Sequence, residues 1–205
     1  MKKCMITNLL IACLVMTSAC AGTKFIHSWK DPTYGGRMSK VFVLGVVRVR
    51  GPRSLLEEEF VRQLKARGVE AVASTSVLAD EALPARDAVA AKVRESGADT
   101  VLVAKFIRKE STDTHVPNRT YDVPVTYYED WTALSGAADA SEDSVGDVSY
   151  PYQVAVMQTT VYDAATQKPV WSAGSETRHQ GALMHQIKPF VSAVMDRLYK
   201  EKLVK

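Results

Sequence analysis

The residues of this chain that could do chemistry are four histidines, one acidic stretch, scattered serines and a group of aromatics. A zinc site of the helical kind needs two histidines four residues apart on one face. His27, His115, His179 and His185 supply no such pair, and His179 and His185 fall on either side of a strand-to-helix junction. Asp139, Glu142, Asp143 and Asp147 offer the oxygen ligands that calcium prefers. Gly146 and Asp147 do not complete its loop, which needs a turn glycine and a bidentate Glu in register. The stretch reads as a solvated acidic loop. No serine lies in G-x-S-x-G: Ser135-Gly136 and Gly174-Ser175-Glu176 each give half of a nucleophile elbow. No glycine-rich phosphate cradle is present either. The sequence therefore implies no catalytic residue, no metal and no cofactor, and the expectation is that the chain is not an enzyme. Tyr121, Tyr127, Tyr128, Trp131, Tyr150 and Tyr152 flank the acidic stretch and form a candidate partner surface. Such rings bury area while keeping a polar tip wet. The alternative, that half of them cover a sheet edge, stays open.

Cys20 is the most telling residue. Lys2 and Lys3 precede an apolar run from Met5 to Met16, interrupted by Thr7 and Asn8, and the small residues Thr17, Ser18 and Ala19 follow. Positive, apolar and small segments in that order make a secretory signal. The run falls short of the ~20 residues of a permanent membrane helix. The small-small-Cys ending resembles the lipobox of bacterial lipoproteins. The resemblance implies that the Cys20 thiol receives a diacylglycerol, the chain is cut after Ala19, and the new amino group is acylated. Thr17 departs from the pattern, where Leu is usual. Leu10-Ile11-Ala12-Cys13 has the Leu but leaves an apolar core of only about 8 residues. The alternative is an ordinary signal cut near Ala19 or Ala21. Each buried methylene contributes roughly 0.8 kcal/mol, so several chains hold firmly. Ala21, where inner-membrane retention usually wants Asp, implies the outer membrane by the same resemblance.

These readings divide the chain into a signal peptide, 1–19, and one periplasmic domain, 20–205, with a flexible acidic loop near 133–149. Removing Lys2 and Lys3 from 26 basic residues leaves 24 against 23 acidic ones. That balance gives no clustered basic face for nucleic acid. Cys4 and Cys13 leave with the signal and Cys20 takes lipid, so the domain has no disulfide. The expected partners are a membrane, through the lipid, and an envelope protein.

The elements follow from periodicity. Thr23 to Trp29 alternates as a strand, and Asp31-Pro32 with Gly35-Gly36 ends it. Val41 to Val49 is a buried, β-branched strand. Ser54 to Glu57 has capping-box spacing and opens a helix over 54–67, with Gly68 at its left-handed end. A short strand over Val69 to Ser74, a helix over Asp87 to Ser96 and a strand over Thr100 to Ile107 come next. Val123 to Tyr128 reads as a further strand. Tyr152 to Tyr162 and Val170 to Arg178 form a hairpin. Ile187, Val191, Val194 and Leu198 make one stripe of a helix over 187–202, with Pro189 in its first turn. The fold class is α/β (α+β): a mixed sheet with three packed helices, in the order β-β-α-β-α-β-β-β-β-α.

At this point the chain resembles a group of uncharacterised lipoproteins of Gram-negative bacteria. The likeness rests on Trp29-Lys30-Asp31-Pro32, the short strand ending at Ser74, and Tyr162-Asp163 with Val170-Trp171 before a final amphipathic helix. It implies an α/β sandwich and brings no catalytic residues. The expected function is a lipid-anchored binding or accessory protein on the periplasmic face of the outer membrane. One alternative is a cell-wall or lipid hydrolase with a site assembled only in the fold. Another is a subunit of a secretion or transport complex. A buried acid/base pair in a deep pocket favours the first alternative, and an exposed edge strand favours the second.

Overall fold

A computed structural model describes residues 22–47, 50–78, 86–111, 153–179 and 183–205. Its elements are β1 (Thr23–Lys30), β2 (Lys40–Val46), α1 (Arg50–Ala66), β3 (Glu70–Ala73), α2 (Arg86–Ser96), β4 (Thr100–Ser111), β5 (Gln153–Asp163), β6 (Pro169–His179) and α3 (Ile187–Lys200). The strands form one six-stranded sheet in the order β1-β6-β5-β4-β2-β3.

Two kinds of sheet meet in it. β2 pairs in parallel with both β3 and β4. Parallel neighbours need crossovers, and α1 and α2 supply them. β4, β5, β6 and β1 are antiparallel. The β5–β6 turn is held by Asp163, whose Oδ1 accepts the Thr166 amide at 2.7 Å and its hydroxyl at 2.8 Å.

Side-chain alternation sends each strand's apolar residues to opposite faces. On one face Val41, Val43, Leu102 and Val161 pack under α1 and α3. The two helices meet at Phe60 and Phe190, whose rings stand edge to face with centroids 6.1 Å apart. On the other face Phe42, Leu44, Val101 and Val103 pack against Val89 and Val93 of α2. That Val41 to Val46 serves both cores explains its unbroken apolar run.

The expected class and element order stand, with local differences. α1 starts at Arg50 rather than Ser54, because Pro52 is at home in a first turn. The expected capping box is absent, since the Glu57 carboxylate turns inward instead of reaching back. β2 stops at Val46, and β4 runs on to Ser111 along its antiparallel partner. Gly68 and Gly97 take positive φ, 74° and 65°, at the two helix ends where they were expected. The Trp29-Lys30-Asp31-Pro32 segment is the turn leaving β1. There Asp31 Oδ1 accepts the Thr33 amide at 2.8 Å and hydroxyl at 2.7 Å, which holds its carboxyl below the usual range.

Candidate functional site

Open α/β sheets bind ligands outside the carboxyl ends of their parallel strands, where crossovers diverge to the two faces. Here that point lies between β2 and β3, and Glu57 occupies it. Its carboxylate is 0% exposed. Oε1 accepts the Gly45 amide at 2.8 Å, the Ser74 hydroxyl at 2.7 Å and Arg53 Nε at 3.1 Å. Oε2 accepts the Thr75 amide at 2.8 Å and its hydroxyl at 2.9 Å. Arg53 also donates to Ser74 Oγ at 2.8 Å. Position 45 is glycine for a steric reason: a Cβ there would stand 3.2 Å from Glu57 Oε1. With five donors on one carboxylate, this group is a brace fixing α1 to the ends of β2 and β3. It has no acceptor capacity left for a substrate.

A second polar group lies on the sheet face that carries α2, in the half away from that helix. Strand register aligns Lys105, Gln158, Gly174 and His27 in one row. Gln158 Nε2 donates to Ser172 Oγ at 2.7 Å, and Ser172 Oγ stands 3.1 Å from Thr160 Oγ1. The His27 ring lies on Gly174, where a Cβ would come within 2.3 Å of Cε1. Partial burial lowers the His27 pKa below its usual value. Gln158 is 3% exposed and its Oε1 has no hydrogen-bond partner. Turning the amide over would only move the vacancy to the other atom.

The third feature is an apolar pocket of about 50 Å³ on the α1–α3 face. Leu56, Phe106, Ala155, Met157, Ile187 and Phe190 line it, and among the described residues Thr177 and Gln186 are its only polar neighbours. The fourth is the sheet edge. Among the described strands β1 is outermost on one side, with β3 on the other, and Ile26 and Trp29 on β1 are 37% and 44% exposed. Its pairing with β6 slips at Ile26, leaving a bulge between Phe25 and His27.

The sequence-predicted residues fare unevenly. Cys20, His115, the acidic stretch 133–149, the strand expected at Val123 to Tyr128 and the aromatics Tyr121, Tyr127, Tyr128, Trp131, Tyr150 and Tyr152 lie outside the described residues. His185 is exposed, and His27 joins the polar row. Among the described residues no three His, Cys, Asp or Glu side chains converge as metal ligands. Sequence reasoning missed Glu57 and Gln158. The sequence pattern assigns Glu57 to a capping box with Ser54, beside Glu58 and Glu59. Only its place on the same helical face as Leu56, Phe60 and Leu64 signalled an inward carboxylate.

No protein-family model matches the chain, and neither does any curated protein. Solved structures do match. A PelC dodecamer from Paraburkholderia phytofirmans is 13% identical with a TM-score of 0.46, covering 84% of this chain and 94% of that one. A lipoprotein from Neisseria meningitidis is 13% identical with a TM-score of 0.39, covering 79% of this chain and 99% of that one. A PDZ domain protein from Parabacteroides distasonis is 9% identical with a TM-score of 0.41, covering 94% of this chain but 40% of its own length. These likenesses concern the fold alone.

One expectation is corrected here: that the chain is not an enzyme. It rested on missing motifs. Groups that meet only in the fold need no contiguous motif, and a fold does not by itself fix or exclude an activity. The fold also gathers Arg53, Glu57, Ser74 and Thr75 around one carboxylate with no motif to announce it. Missing motifs therefore exclude no catalysis.

Proposed function

We propose that this chain is a lipid-anchored subunit of a secretion or transport complex of the cell envelope. The observation that carries the reading is β1, an outermost strand with Ile26 and Trp29 turned to solvent. An edge strand presents unpaired N–H and C=O groups and invites another strand. Exposed apolar side chains on such an edge add surface that association removes from water. Natural edges are usually blunted by charge or proline. The bulge at Ile26 bends this one, yet its exposed residues include an isoleucine and a tryptophan.

The anchor supports the same reading. Cys20 stands three residues before β1, so lipid there would hold the edge near a bilayer and raise its local concentration. The PelC and Neisseria proteins are, by their descriptions, a dodecamer and a lipoprotein. The first is a fact about PelC. For this chain the stoichiometry is a matter for light scattering on the full chain.

The test uses the full chain in lipid nanodiscs or mild detergent. The expected result is a defined multimer that falls to monomer when Ile26→Lys and Trp29→Lys are combined, with unchanged circular dichroism. A native chain that stays monomeric at tens of micromolar sinks the subunit reading. The anchor has its own check: Cys20→Ala abolishes labelled palmitate incorporation, and unchanged labelling refutes the assignment.

A further inference from the structure

We infer that the apolar pocket between α1 and α3 takes the end of a hydrocarbon chain carried on Cys20, an assignment that rests on the lipid-anchor reading above. Among the described residues the pocket lining bears no charge, and Thr177 and Gln186 alone are polar, so a headgroup has nothing to bind inside. Its volume of about 50 Å³ is small. One water-sized probe needs roughly 10–15 Å³ on this measure, so three or four heavy atoms fit, the end of a chain and no more.

The occupant follows from where the described chain starts. Thr23 opens β1 and pairs with Thr177, a pocket-lining residue, with their hydroxyls 2.9 Å apart. Three residues span at most about 11 Å, so Cys20 is tethered within that distance of Thr23, one strand over from the pocket-lining Thr177. A long acyl chain on its sulfur or amino group therefore has the reach to enter the pocket. Passing from bilayer to pocket exchanges one apolar surrounding for another, so the transfer costs little. What it gains is orientation: one chain end held between α1 and α3 fixes the domain against the membrane while the remaining chains stay in the bilayer.

The experiment uses the full chain labelled at methionine methyls, with Met157 as the reporter inside the pocket and octanoate as the probe. In Cys20→Ala, octanoate shifts the Met157 resonance with a millimolar Kd. Ala155→Leu, which fills the pocket, weakens that binding at least tenfold. Ile187→Trp, at the half-buried mouth, does the same should the first variant fold poorly. In the palmitate-labelled native chain in nanodiscs, octanoate leaves Met157 unmoved because the site is taken. No octanoate shift in Cys20→Ala overturns the pocket as a hydrocarbon site. Equal octanoate shifts with and without lipid overturn the occupant while leaving the anchor intact. Absence of palmitate label on the native chain removes the anchor and the occupant together.

Discussion

Glu57 is the residue that ties α1 to the ends of β2 and β3. Removing its carboxylate leaves the Gly45 and Thr75 amides and the Arg53 guanidinium without their common acceptor. Breaking a buried ion pair by deleting one partner costs about 3–5 kcal/mol. Glu57→Ala should lower unfolding stability by that order in urea melts, and a loss under about 1 kcal/mol contradicts the brace. His27 makes a different prediction. Its pKa is lowered by burial, so the native state favours the neutral ring. The unfolded ring then binds protons first, and stability falls as pH drops below about 6.5, levelling off below the native value. His27→Gln should flatten that part of the stability profile, and an unchanged slope would falsify the assignment. Gly174→Ala brings a methyl onto the ring and should cost about 1–3 kcal/mol through displacement of β1. Such residue-level facts were the least legible in the sequence. A run of three glutamates does not say which one points inward, and a glycine does not say what lies on it.

Elements were far more legible, because periodicity reports them directly. The stripe of Ile187, Val191, Val194 and Leu198 gave α3, and Tyr162 and Val170 framed the β5–β6 hairpin, since each pattern repeats a single local rule. Boundaries were less clear where a neighbour decides them. β4 extends to Ser111 because β5 pairs along its length, and α1 begins at Arg50 although Ser54 looked like a cap. The hairpin turn is a local device and should behave as one. Asp163→Ala removes two hydrogen bonds to Thr166 at an exposed turn, and a loss of about 1 kcal/mol is expected in thermal melts. A loss several times larger would mean that the turn contributes to the core.

At the scale of the whole molecule, the proposed anchor predicts that hydrocarbon and not charge holds the chain at a membrane. Were the signal removed as expected, 24 basic residues would face 23 acidic ones, and a net charge of +1 gives little hold on an anionic surface. No described helix is long and apolar enough to cross a bilayer. Washing membranes with 1 M salt, where the screening length is about 3 Å, should therefore release none of the protein. Release by salt would shift the weight to a basic patch. Sequence reasoning reached the sheet and the helices, because each element is written in a contiguous segment. It did not reach the order β1-β6-β5-β4-β2-β3, which places the first strand beside the last and, among the described residues, at one edge of the sheet.

That placement has a consequence for biogenesis. The Thr23 and Thr177 hydroxyls are 154 positions apart in sequence, and Met38 donates its amide to Leu203 near the end of the chain. Neither contact can form until nearly the whole polypeptide has emerged. Closing so large a loop is a late and slow event. β1 thus waits for its partner strand while the intervening chain folds. Maturation ends when the amino-terminal strand docks on the last hairpin.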